Sequence, residues 1–258
     1  MTHYVKAKKH LGQHFLHDQN IAQRIANSIP DNHIPLLEIG PGTGMLTQFL
    51  LKRNNTLKVI EIDHESVTWL KENLTELEHH QLMEADFLQA NLPSLFSEPY
   101  GIVGNFPYNI SSQILFRIVE NYQDIELLCG MFQKEVAQRI AANHGNKQYG
   151  ILSVLIQTWY DVKLLFTVSE KAFSPPPKVQ SAVLLLTKKT EYHTIEDTKL
   201  YVRVVKTAFN QRRKMLRNAL QAGFGSKISI PFETQRAEQL SVNDFFTLYK
   251  AIKKHTCC

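Results

Sequence analysis

The segment Asn105-Phe106-Pro107-Tyr108 brings an amide, a proline-fixed backbone carbonyl and a phenol ring together. The Asn105 oxygen and a carbonyl near Pro107 can accept the two hydrogens of a planar exocyclic amine, while Tyr108 stacks on the ring that carries it. An adenine N6 amine is a poor nucleophile because its lone pair is delocalised into the ring. Two acceptors that draw its hydrogens out of plane localise the pair, so no strong general base is needed. Proline fixes the turn and removes a competing donor, and stacking on an aromatic contributes about 1–3 kcal/mol per base in single-stranded sites. Read alone, the same residues are a turn between a strand and a helix. A second aromatic, Phe173, lies in Phe173-Ser174-Pro175-Pro176-Pro177-Lys178-Val179. It is expected either to wall the other side of a pocket for an extruded base or to anchor that loop.

An electrophile must arrive at the same place. The run Leu36-Leu37-Glu38-Ile39 enters Gly40-Pro41-Gly42-Thr43-Gly44, a turn that lets backbone approach a ligand at the carboxyl end of a strand. The spacing is GxGxG and not the GxGxxG of a dinucleotide fingerprint. Glu61 stands about 20 residues further on, where an acid can accept ribose hydroxyls. Asp86 ends the next apolar run and can accept from an adenine amine. Each acid alone reads as readily as a turn residue or helix cap, and a hydride carrier wants the same ribose acid. The amine-holding motif favours a methyl carrier, S-adenosylmethionine, whose own chemistry supplies the activation while the protein positions the reactants.

These residues need a sheet to present them. Apolar runs at 36–39, 57–62, 81–85, 101–104 and 125–132 alternate with helical stretches, which predicts βαβ units and a mostly parallel sheet. Two further runs, 162–168 and 182–187, are joined through the prolines and predict antiparallel closure. A helix is expected over 18–28 behind an Asp18 cap. From about Glu191 the pattern is helical, with long helices predicted over 201–220 and 242–254. The expected organisation is an α/β domain over 1–190 and a small all-helical domain over 191–258. Arg212, Arg213, Lys214 and Arg217 crowd one predicted helix, a surface suited to RNA phosphates, and the basic arm at 6–10 has a similar reading.

Composition limits the alternatives. The 258 residues are 43% hydrophobic and 21% charged with a net charge of +5, too apolar for a disordered chain and mildly suited to a polyanion. The three cysteines, Cys129 and the pair Cys257-Cys258, offer no disulfide framework or CxxC metal site, and His79-His80 lacks partners at ligand spacing, so no metal is expected. No signal peptide precedes the motifs and no apolar window reaches the roughly 18 residues of a membrane span. A cytoplasmic monomer without membrane association is expected.

In order along the chain, Gly12-Gln13-His14-Phe15-Leu16, the glycine loop, Glu61, Asp86, the 105–108 motif, the 173–181 loop and Phe209-Asn210-Gln211-Arg212-Arg213-Lys214-Met215-Leu216-Arg217-Asn218 resemble the small-subunit ribosomal RNA adenine N6,N6-dimethyltransferases. That family is related to the erythromycin-resistance rRNA methyltransferases. The resemblance implies a class I (Rossmann-like) methyltransferase fold and donor contacts at His14, Leu16, Gly40, Gly42, Glu61, Asp86 and Asn105. It implies dimethylation of two adjacent adenosines in the 3'-terminal hairpin of 16S rRNA, on the small ribosomal subunit or its precursor. A large-subunit rRNA methyltransferase and a non-catalytic ribosome-assembly factor are the competing readings. His14 stands where the family often has Asn, which leaves a backbone contact there, and Phe106 replaces a common Leu.

Overall fold

Strands that are buried on both faces read as unbroken apolar runs, and those runs become the centre of the sheet in the computed structural model, which describes residues 5–225 and 229–256. After the short strand β1 (Phe15–Leu16), helix α1 (Gln19–Asn27) starts where the Asp18 carboxylate accepts from the N–H groups of Asn20 and Ile21, and it buries Ala22, Ile25 and Ala26. The chain continues as β2 (Leu36–Ile39), α2 (Thr47–Leu50), β3 (Leu57–Glu61), α3 (His64–Asn73), β4 (Leu82–Glu84), β5 (Tyr100–Asn105), α4 (Ser111–Glu120) and β6 (Ile125–Gln133). Helices α5 (Lys134–Ala141) and α6 (Ile151–Trp159) precede β7 (Tyr160–Val168), β8 (Phe173–Ser174) and β9 (Ser181–Lys188). Three helices follow, α7 (Thr198–Asn210), α8 (Leu216–Phe224) and α9 (Val242–Thr256).

The seven-stranded sheet has the order β4-β3-β2-β5-β6-β9-β7. Its first five strands are parallel, and β9 runs antiparallel to β6, from Leu127 opposite Thr187 to Gln133 opposite Ser181. The order reverses between β2 and β5, so their carboxyl ends open a crevice at the switch point where α/β sheets bind ligands. A two-stranded ladder pairs β1 with β8, Leu16 opposite Phe173. Phe106 packs inward, 1% exposed, with its ring 4.9 Å from that of Phe132. It fits because Gly130 has no side chain, since a Cβ there would come within 2.2 Å of the Phe106 ring.

The chain forms two compact units, one running up to Ala137 and including Lys163–Lys188, the other comprising Gln138–Val162 and the chain from Lys189 onward. Helix α6 therefore groups with the C-terminal helices, whereas the sequence reading keeps everything before residue 191 together. Its side chains Leu152, Val154, Leu155, Ile156 and Trp159 are buried all round, which requires helices on several sides. Within that unit Thr158 shares a 2.9 Å hydrogen bond with the Tyr201 hydroxyl, and Trp159 meets the Tyr201 ring edge-on.

The helix predicted over 201–220 is broken at 211–215. Met215 is extended, and the first N–H groups of α8 are taken by distant carbonyls, Leu216 by Gln235 at 2.8 Å and Arg217 by Glu233 at 3.1 Å. Buried Ala208, Phe209, Leu216, Ala219 and Leu220 keep a helical spacing across the break, so periodicity runs through it. Cys129 is buried in β6, where burial pushes its thiol up to about 12. The Cys257-Cys258 pair lies outside the described residues.

Candidate active site

The carboxyl ends of β2, β3 and β5, together with the segment 10–16, line a cleft of about 260 Å³. His14, Leu16, Gly40, Gly42, Glu61, Asp86, Asn105, Pro107 and Tyr108, separated by up to 94 positions in the chain, all border it. No group of three His, Cys, Asp or Glu side chains that could hold a metal occurs among the described residues.

On the donor side, Glu61 ends β3 with its carboxylate gripped by backbone. Its Oε2 accepts from Gly42 N at 3.0 Å, and its Oε1 accepts from Ile62 and Asp63 N, each at 2.9 Å. Burial raises its proton affinity against the opposing pull of those N–H groups. A carboxylate offers about four lone-pair directions, so one remains on Oε2 for a ligand hydroxyl. Gly42 has φ 57°, and a Cβ there would sit 2.8 Å from the Phe15 ring. The loop is thus closed to side chains on that flank. A Cβ on Gly40 would meet nothing within 4 Å, which is the open cradle a ligand needs. Asp86 is fixed by Leu88 N and by the Gln89 amide, both at 2.9 Å.

On the acceptor side, the Asn105 Nδ2 donates to the His14 carbonyl at 2.9 Å. This orients the amide and leaves Oδ1 as its free acceptor. The His14 ring Nδ1 donates to the Pro175 carbonyl at 2.8 Å and its ring stacks at 5.5 Å on Tyr108. The Tyr108 hydroxyl meets Ser181 Oγ at 2.5 Å. Burial raises the Tyr108 phenol above its ordinary range, partly offset by that Ser181 bond, so the ring remains neutral.

Phe173 departs from the pocket-wall expectation. It is 2% exposed, belongs to an apolar cluster with Leu16, Ile25 and Val168, and is not among the cleft-lining residues. Its pairing with Leu16 draws it into the core, where it holds the loop that carries Pro175.

Three residues escape sequence reasoning. Ser181 reads as the last residue of the 173–181 loop, with nothing to mark its hydroxyl, and in the structure it opens β9. Asp63 is buried and accepts from Lys8 Nζ at 2.5 Å and Gln13 Nε2 at 2.9 Å. Burial alone would raise its carboxyl, but the bonds from Gln13 and Lys8 hold it below the usual range, and together they tie the 8–13 segment beside the cleft. Glu38 lines the cleft at 1% exposure, and burial pushes it up to about 8.

The predicted basic cluster divides. Arg212 is engaged within its own unit, donating to Glu238 Oε2 at 2.6 Å and to the Lys147 carbonyl at 2.5 Å. Arg213, Lys214 and Arg217 are exposed, with none of those bonds. No helix among the described residues is long and apolar enough to cross a membrane.

A mostly parallel sheet with one antiparallel strand, a glycine cradle and acids on successive strand ends together define a class I S-adenosylmethionine-dependent methyltransferase. The fold agrees with solved structures. A dimethyladenosine transferase from Plasmodium falciparum matches with a TM-score of 0.78 at 24% identity, covering 94% of this chain and 98% of that one. The 23S rRNA methyltransferase ErmE matches with a TM-score of 0.68 at 24% identity, covering 93% and 99%. The chain belongs to the ribosomal RNA adenine dimethylase family, whose family model matches residues 4–254. Among its relatives, the ribosomal RNA small subunit methyltransferase A of Bacteroides thetaiotaomicron is 51% identical over 255 residues, covering 97% of this chain and 95% of that protein. The protein of the same name from Cytophaga hutchinsonii is 50% identical over 249 residues, covering 95% and 96%.

Proposed function

We propose that the protein transfers methyl groups to the N6 amines of two adjacent adenosines in the 3'-terminal hairpin of 16S rRNA, on the small ribosomal subunit or its precursor, as a cytoplasmic monomer. The names of its relatives at about half identity support the small-subunit substrate. The observation that carries the chemistry is the Asn105 amide, turned by the His14 carbonyl so that its oxygen is left to accept from a target amine.

S-adenosylmethionine, when bound, supplies an electrophilic methyl group on a sulfonium. Glu61 accepts from a ribose hydroxyl, Asp86 accepts from the donor's adenine amine, and the Gly40–Gly42 backbone makes room for the remainder. Asn105 Oδ1 and the Pro107 carbonyl accept the two hydrogens of the target amine and localise its lone pair. Tyr108 stacks on the target base, with its ring fixed by Ser181 at the hydroxyl and by His14 on one face. Phe173 acts at a distance, as a positioning residue for the Pro175 loop that meets His14. Preorganised acceptors of this kind act mainly by orientation and electrostatics. Arg213, Lys214 and Arg217 contact RNA phosphates, and Arg212 braces their surroundings.

Labelled methyl transfer to unmodified small subunits, with the product mapped by primer extension, tests this reading. The label is expected at adjacent adenosines of the 3' hairpin. Label confined to large-subunit RNA would overturn the substrate assignment, and absence of label on either subunit would overturn the enzymatic one.

A further inference from the structure

Val179 is 46% exposed, on a turn whose two ends are fixed beside the acceptor half of the cleft. At the first end, Phe173 pairs with Leu16, and the Pro175 carbonyl accepts from the His14 ring at 2.8 Å. At the other end, the Gln180 carbonyl and Oε1 accept from Lys134 N and Nζ, each at 2.9 Å. Ser181 then opens β9 opposite Gln133 and meets the Tyr108 hydroxyl at 2.5 Å. The turn carries three consecutive prolines, of which Pro177 is buried, while Lys178, Val179 and Gln180 are exposed.

A single exposed apolar side chain is ordinary on a protein surface. Val179 differs in what holds it. Proline fixes φ and a β-branched side chain is stiff at χ1, so little conformational freedom is lost when a ligand packs against this turn. Val179 stands two residues from Ser181, whose hydroxyl touches the Tyr108 phenol. It does not line the cleft itself. It borders the acceptor half from outside, next to whatever part of a substrate stays out when one base has entered.

An adenosine drawn into the cleft leaves its stack, and the base beside it loses a stacking surface. Proteins that hold a nucleic acid with one base step opened fill such a gap with an apolar wedge. We propose that Val179 is that wedge, a positioning residue against which the nucleotide next to the extruded adenosine packs during methyl transfer. Lys178, exposed on the same turn, supplies a cation to the backbone phosphates there. The inference rests on the adenosine-methylation reading and goes beyond it, because it assigns a protein contact to the base that is not reacting. With two adjacent targets, that base is the other target adenosine in at least one of the transfers.

The full chain is tested on small subunits assembled with unmodified 16S rRNA, and on subunits in which one or the other of the two adenosines is replaced by an abasic residue. Methyl transfer to the adenosines present is timed by mass spectrometry. Val179→Ala is expected to lower kcat/KM on the intact pair on the order of tenfold, toward the low end of what one base stack contributes. Val179→Leu, which keeps an apolar wedge, is expected to retain the wild-type rate. Where the neighbouring base is missing the wedge has nothing to support, so on at least one abasic substrate wild-type protein and Val179→Ala should react equally. Thermal unfolding and donor affinity by calorimetry should be unchanged in both variants. An intact-pair rate unaffected by Val179→Ala, or a defect as large on both abasic substrates as on the intact pair, would overturn the proposal. Absence of methyl transfer by the wild-type protein to intact subunits would instead remove the reading on which the proposal rests.

Discussion

Replacing Glu38 by glutamine removes the one ionisable group buried inside the strand that leads to the glycine loop. In the folded protein its carboxyl is pushed from an ordinary 4.5 up to about 8, mainly by burial. A folded-state value above the unfolded one means that the stability contribution is complete below about 4.5 and is lost as pH rises toward 8, because the folded chain holds a proton that the unfolded chain has released. At about 1.4 kcal/mol per pH unit, the loss over that window reaches about 5 kcal/mol, an upper bound because buried groups relax. Glutamine cannot titrate. Its amide leaves unsatisfied hydrogens whose cost of about 1–3 kcal/mol is the same at every pH. The expected outcome is therefore a change of slope: in urea unfolding between about pH 5 and pH 8, wild-type stability falls relative to Glu38→Gln by several kcal/mol. Parallel stability curves for the two proteins would refute the burial argument, whatever their vertical offset.

Four further outcomes follow from the geometry. Tyr108→Ala removes the stacking ring, and kcat/KM for RNA should fall by roughly one to two orders of magnitude, the equivalent of about 1–3 kcal/mol, with donor affinity measured by calorimetry nearly unchanged. Gly42→Ala forces a Cβ into a position with φ 57° and 2.8 Å from the Phe15 ring; the left-handed conformation alone costs about 1–2 kcal/mol, so thermal unfolding should move down and donor binding should weaken together. Neutralising Arg213, Lys214 and Arg217 should reduce RNA affinity and flatten its salt dependence by roughly 0.7–0.9 in log–log slope for each phosphate left without a cation, without altering thermal unfolding. Arg212→Gln should lower thermal unfolding instead, because the guanidinium holds Glu238 and the Lys147 carbonyl.

The donor half of the site is legible in the sequence because parallel strands buried on both faces make continuous apolar runs, and Gly40 and Glu61 mark where two of those runs stop, while Asp86 follows the partly exposed edge strand β4. The amine-holding motif is legible for the same reason, since β5 ends at Asn105. What stays hidden depends on contacts between distant positions. Lys8 and Gln13 reach Asp63 across 55 and 50 residues, and no local spacing encodes that clamp. Ser181 joins Tyr108 only through the pairing that brings β9 alongside β6. Phe173 reads in the sequence as either a pocket wall or a loop anchor, and only its ladder with Leu16 shows that it is drawn into the core. The break between α7 and α8 is made by carbonyls of Glu233 and Gln235, so the helical apolar spacing passes through it unmarked. Glu38 reads as one more strand position, because nothing in its neighbours distinguishes a buried acid facing a cleft from one facing solvent.

The central claim is that Asn105 holds an adenine amine for methylation, and mass spectrometry of the 3'-terminal hairpin tests it most directly. Unmodified small subunits are incubated with saturating S-adenosylmethionine and either wild-type protein or Asn105→Ala, and base identity and methyl count are read together over time. Wild-type protein is expected to yield two adjacent N6,N6-dimethyladenosines, and Asn105→Ala to slow their appearance by about 10²-fold or more, the usual consequence of removing a preorganised hydrogen-bonding group at the reacting centre. Methylation at the wild-type rate by Asn105→Ala, or wild-type methyl groups on any atom other than adenine N6, would contradict the account.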